Sequence, residues 1–162
     1  MDVFTTRRLA CLAAVLQVSC ESVSVAEMHG RFDAFQDHSV PELTLELRGE
    51  AEDRSTQGVF GASLMDELDC DAHCGNYVYA GMRYELPISG WIEAGVGLVV
   101  GSYHSGGIEL GSALVMRPGV DVGVTLAPSV RAGAYLHHYT STAWGEDDPG
   151  AESIGLQLQW SF

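Results

Sequence analysis

Two short segments carry side chains whose types and spacing suit acyl-transfer chemistry. In His138-Tyr139-Thr140-Ser141 an imidazole and a hydroxyl stand two residues apart, and Glu152 follows fourteen residues after His138. An imidazole that takes the hydroxyl proton makes the alcohol a nucleophile towards an ester. A carboxylate on the other ring nitrogen fixes the tautomer and stabilises the imidazolium. Such a set is recognised by geometry, so spacing alone is weak, and His138 also reads as a rim residue with Thr140 an ordinary β-former. His137 and His138 do not form a metal pair, because neighbouring strand residues point to opposite faces. Cys70 and Cys74, in Asp69-Cys70-Asp71-Ala72-His73-Cys74, read as a small loop disulfide in an oxidising compartment. Asp71 and His73 beside them lack a second ligand pair, so no metal is assigned. No nucleotide fingerprint or phosphate-cradling glycine loop appears, and no cofactor is expected.

The elements that must position these groups are strands. In the last residues Ile154, Leu156, Leu158, Trp160 and Phe162 share one face, and Gly155, Gln157, Gln159 and Ser161 share the other. The same parity recurs upstream, with an apolar even face over 112–126, 91–100 and 77–86 against Arg117, Asp121, Glu93, Arg83 and Glu85. Leu43, Leu45 and Leu47 oppose Glu42, Thr44, Glu46 and Arg48. A further strand runs from Val130 to about Thr142 and carries His138 and Thr140 on its even, apolar face. Glu152 shares the face of Ile154, so all three groups are expected on the greasy side of two adjacent strands.

That greasy side faces lipid in a membrane barrel and the interior in a soluble, lipocalin-like one. Mixed-sign charges on the polar faces, which can pair across a narrow lumen, favour the membrane. So do the glycines there and the aromatic terminus. The expected fold is all-β: an antiparallel transmembrane β-barrel of eight strands, the first within 29–38. Short connections at Pro87–Gly90 and Pro128-Ser129 read as periplasmic turns, and 66–76, 101–107 and 143–152 as outside loops. Arg7 and Arg8, the apolar Leu9–Val18 stretch, and Ser24 and Ala26 as small −3 and −1 residues read as a cleaved signal peptide over 1–26. The barrel domain is then 27–162. A lipoprotein anchor at Cys20 is the weaker alternative, since Gln17 stands where leucine is usual.

The motif resembles the outer-membrane lipid A 3-O-deacylases, which carry H-Y-S-N, a loop containing Pro, Asn or Gly, and a glutamate fourteen positions after the histidine. Here the matching residues are His138-Tyr139-Thr140-Ser141, then Asp148-Pro149-Gly150-Ala151-Glu152. The resemblance is clearest over 91–162 and fades before residue 75. It implies an eight-stranded barrel in the Gram-negative outer membrane, with an exterior site that removes an ester-linked acyl chain from lipopolysaccharide. Its catalytic residues would be His138, Thr140 and Glu152, and Ser141 is the oxyanion candidate. Two departures bear on activity. Thr140 replaces the family's serine, and its β-branch restricts χ1 and crowds the attacking oxygen. Ser141 replaces an asparagine donor, the kind of group worth about 2.7–4 kcal/mol where it has been removed.

All eight basic residues are arginines, and the formal net charge is −14. That excludes nucleic acid as a natural partner. Contact with anionic headgroups needs local arginines or bridging divalent cations, which Glu146-Asp147-Asp148 could bind if it is more than a solvated loop. The expected partners are the membrane and lipid A in its outer leaflet, and a homodimer is admitted. The competing functions are a catalytically weak or inactive surface-interaction barrel of the same family, and a soluble periplasmic carrier.

Overall fold

The computed structural model describes residues 22–37, 39–50, 55–65, 75–105, 107–142 and 150–162. Eight strands follow one another: β1 (Val23–Phe32), β2 (Val40–Glu50), β3 (Thr56–Met65), β4 (Gly75–Pro87), β5 (Ile92–His104), β6 (Leu114–Ala127), β7 (Val130–Ser141) and β8 (Ala151–Ser161). Each pairs antiparallel with its neighbours, and β1 pairs with β8 from Ser24↔Ser161 to Phe32↔Ser153. The sheet is a closed barrel with no free edge.

Alternation decides what lies inside. Leu45, Val78, Met82, Leu98, Val120, Leu136 and Leu156 are exposed on the outer wall. Their strand neighbours Glu46, Arg48, Tyr77, Tyr79, Arg83, Val99, Arg117 and Tyr135 are buried in the lumen. An apolar exterior around a polar interior is the polarity of a membrane barrel, so a cavity lined by the apolar faces does not form.

The lumen is filled by paired charge. Arg48 and Arg117 bind Glu46 at 2.7 and 3.1 Å, and Arg83 binds Asp121 at 2.6 Å and Glu85 at 2.9 Å. Arg131 bridges Glu85 and Glu93. Towards the long-loop rim Phe32, Tyr77, Tyr79, Tyr103 and Tyr139 pack together, with the Arg117 guanidinium 4.0 Å from the Tyr79 ring centroid. A cavity of about 20 Å³ between these arginines, Asp121 and His137 has room for one water, far short of a pore.

Several boundaries differ from expectation. The first strand is Val23–Phe32 rather than a segment of 29–38, so the expected domain boundary after Ala26 falls inside it. Ser24 is buried and accepts a hydrogen bond from Gln159 Nε2 at 3.0 Å. The strand is unlike the others because its apolar residues Ala26, Met28 and Phe32 face inward, while Glu27, His29 and Arg31 lie on the outer wall. β3 has apolar residues on both faces, Val59 and Met65 inside and Phe60 and Leu64 outside, and so shows little alternation. The long connections are 66–74, 105–113 and 142–150, with a fourth at 33–39 that the sequence did not suggest. Residues 101–104 belong to β5, and Ala151 and Glu152 to β8. The Cys70–Cys74 pair, the 146–148 acidic run and residues 1–21 lie outside the described residues.

Candidate active site on the outer wall

β7 and β8 form the hairpin whose register sets the site. It pairs Leu136↔Ile154, His137↔Ser153 and His138↔Glu152. His138 and Glu152 are thus cross-strand neighbours on the outer wall, one step from the long-loop rim. His138 Nδ1 lies 3.2 Å from Glu152 Oε1, with the two side chains 46% and 33% exposed. A carboxylate on Nδ1 leaves Nε2 for proton transfer, which is the division of labour a hydrolytic triad needs.

Two features hold the pair. The Ala34 amide, in the β1–β2 connection, donates to the Glu152 carbonyl at 2.9 Å and ties that strand end to its neighbour. Gly150 adopts φ +61°, and a Cβ there would stand 2.8 Å from His138 Cε1. The glycine therefore serves both the turn into β8 and the space the imidazole occupies.

Thr140 shares the His138 face one pleat nearer the rim, in register with Met116 of β6. Two residues of strand separate their Cα atoms by about 6.6 Å. Ser141 is different. It is 8% exposed and faces inward beside Tyr139 and Val115, so its hydroxyl does not join the outer-wall groups as an oxyanion donor. Strand parity gives the reason, since an asparagine or serine at this position points away from residue 140's face. His137 is buried and stacked on Tyr135 at 4.6 Å between ring centroids. Its Nδ1 has no hydrogen-bond partner among the described residues.

Below the pair, an exterior groove of about 650 Å³ crosses β6, β7, β8 and β1. Ala132 and Ala134 floor it, and Val122, Val124, Leu156 and Leu158 wall it. Ala134 lies four residues from His138 on the same strand and face, about 13 Å down the wall. Glu27 and His29 edge the groove, with His29 Nε2 2.6 Å from Glu27 Oε1. Among the described residues no group of three His, Cys, Asp or Glu is arranged to hold a metal ion.

Among solved structures, the outer membrane enzyme PagL superposes with a TM-score of 0.67 and 18% identity, over 85% of this chain and 98% of that one. A de novo designed transmembrane β-barrel gives 0.64 at 7% identity, over 91% of this chain and all of the design. Neisserial surface protein A gives 0.57 at 10% identity, over 87% and 96%. The chain has the fold of an eight-stranded transmembrane barrel. At these identities the likeness concerns the fold alone, and enzymes and other barrels share it. No protein-family model and no curated protein matches the chain.

Proposed function

We propose that this barrel sits in the outer membrane and hydrolyses an ester-linked acyl chain of lipid A, as a lipid A 3-O-deacylase-like esterase. The observation that carries this reading is the 3.2 Å contact between His138 Nδ1 and Glu152 Oε1 on the lipid-facing wall. A polar pair in that position is costly unless it is used. Thr140 on the same face supplies the hydroxyl, and the apolar groove below offers an acyl chain a path along the wall.

In the proposed reaction Thr140 Oγ1 attacks the ester carbonyl while its proton passes to His138 Nε2. Glu152 holds the ring and stabilises the imidazolium. The tetrahedral intermediate collapses, the sugar hydroxyl leaves with the proton from His138, and the acyl group remains on Thr140. Water, deprotonated by His138, then attacks the acyl-threonine and releases the fatty acid and the free hydroxyl.

Mass spectrometry of lipid A from a host lacking such activity tests this after expression of the barrel. Loss of one ester-linked acyl chain, abolished by His138→Ala, is the expected result. Unchanged lipid A, with the folded protein recovered in the outer membrane, overturns it.

A second reading is a catalytically weak barrel of the same kind with a surface-interaction role. The inward-facing Ser141, together with the β-branched Thr140, favours it. It predicts that His138→Ala and Glu152→Ala leave lipid A and every membrane phenotype unchanged.

A further inference from the structure

Apart from residues near the long-loop rim, His138, Thr140 and Glu152 among them, the outer wall of the barrel is hydrocarbon except along one strand. From the short-turn end towards the rim, the outward residues of β1 are Val25, Glu27, His29 and Arg31, flanked by Leu43 and Leu45 of β2 and by Ile154 and Leu156 of β8. Glu27 and His29 satisfy each other at 2.6 Å. Among the described residues no carboxylate pairs with Arg31 in this way. Its Nε lies 2.9 Å and its Nη2 2.8 Å from Ser39 Oγ, and Nη2 also donates to the Ser39 carbonyl at 2.5 Å. These bonds hold the side chain to the β1–β2 connection and leave Nη1 unengaged by them, on an exposed residue.

Its position is specific. Arg31 is in register with Ile154, one outward step along β8 from Glu152. β1 is two inter-strand steps from His138 on β7, roughly 10 Å. Every other described arginine, at 48, 83, 117 and 131, is turned into the lumen and paired there. Among the described residues Arg31 is therefore the one guanidinium on the exterior. It is the penultimate residue of β1, next to the long-loop rim, the end of a barrel wall that borders the headgroup layer of a membrane. The chain's charge of −14 repels anionic lipid at long range, so recognition of a phosphate needs a local cation. A guanidinium suits that role, since its planar fork offers paired donors to phosphate oxygens.

We infer that Arg31 binds a phosphate group of the glycolipid whose acyl ester reaches His138, Thr140 and Glu152, and so sets specificity for phosphorylated over dephosphorylated lipid. This rests on the esterase reading, with Arg31 as a substrate-binding residue one sugar ring away from the scissile ester.

The test uses the full-length barrel refolded in detergent micelles, with lipid A carrying its phosphates and the same lipid after phosphatase treatment. Ester release by the wild type is expected to show a KM for the phosphorylated lipid about tenfold lower than for the dephosphorylated one. In Arg31→Gln that gap closes, mainly through KM, and Arg31→Lys restores part of it. Equal KM values for the two lipids in the wild type, or a gap that survives in Arg31→Gln, overturn the proposal. Binding of both lipids to Thr140→Ala, with and without Arg31→Gln, is measured in parallel, as is competition by inorganic phosphate. Should neither lipid be hydrolysed, the esterase reading fails on its own. Arg31-dependent preference for the phosphorylated lipid in the binding arm then still decides the site, and equal affinities reject it. Displacement by millimolar inorganic phosphate alone, with no preference between the lipids, also rejects a lipid site.

Discussion

At the scale of single residues the site asks most of Thr140. Its hydroxyl is chemically sufficient, but a β-branched side chain holds fewer χ1 rotamers than serine and crowds the attacking oxygen. Thr140→Ser is therefore expected to raise ester release at least several-fold, measured by free fatty acid liberated from lipid A. A variant no faster than the wild type would mean that the nucleophile's shape is not what limits the site. His138→Ala and Glu152→Ala should lower any activity by about 10²–10⁴-fold, the usual weight of a positioned acid–base group. Gly150→Ala tests the support beneath them. Its φ of +61° and the 2.8 Å approach to His138 Cε1 predict a folded barrel with impaired turnover. Unaltered kinetics in that variant would show that the imidazole edge has room to spare.

At the scale of elements the barrel depends on the pairing of its lumen charges. Arg83 holds Asp121 at 2.6 Å and Glu85 at 2.9 Å with all three largely removed from solvent. Arg83→Met leaves Asp121 without its cation and Glu85 with Arg131 alone, and should cost about 3–5 kcal/mol in urea unfolding from lipid vesicles. Adding Asp121→Leu is expected to recover part of that loss, and simple additivity of the two changes would refute the pairing argument. The element scale also shows what a sequence makes legible. The strands carrying the site were readable because Leu136, Ile154 and Leu156 alternate with Tyr135, Gly155 and Gln157, and parity alone put His138 and Glu152 on one face. Cross-strand register was not readable, and the 3.2 Å contact needed the structure. β1 escaped because its polarity is inverted, with Met28 and Phe32 inside and Glu27, His29 and Arg31 outside. Its small residues Ser24 and Ala26 instead resembled a processing site. Since Ser24 to Ala26 pair with both neighbouring strands, a mature N-terminus before Val23 is predicted. Intact-mass measurement of protein from the membrane checks this, and a mature chain starting at Glu27 would contradict it.

At the scale of the whole molecule, the filled interior separates this barrel from porins. Four arginines, their carboxylates and the tyrosine cluster occupy the lumen, with room for single waters. Reconstituted into planar bilayers, the barrel should give no steady ohmic conductance, and sustained open-channel currents would refute a packed lumen. What varies around the cylinder is the exterior: an apolar wall, one polar strand, and the His138–Glu152 pair near it.

The ends of the polypeptide meet in that wall, because β1 zips to β8 over nine residue pairs. Glu152 stands on one side of this join and Arg31 on the other, and the Ala34 amide donates to the Glu152 carbonyl across it. A nascent chain that has inserted its first seven strands still lacks both the carboxylate and the partner for its opening strand. Turnover of lipid would then report more than chemistry: it would mark the arrival of the last strand, and an insertion intermediate trapped before β8 has joined should be silent however much sheet it contains.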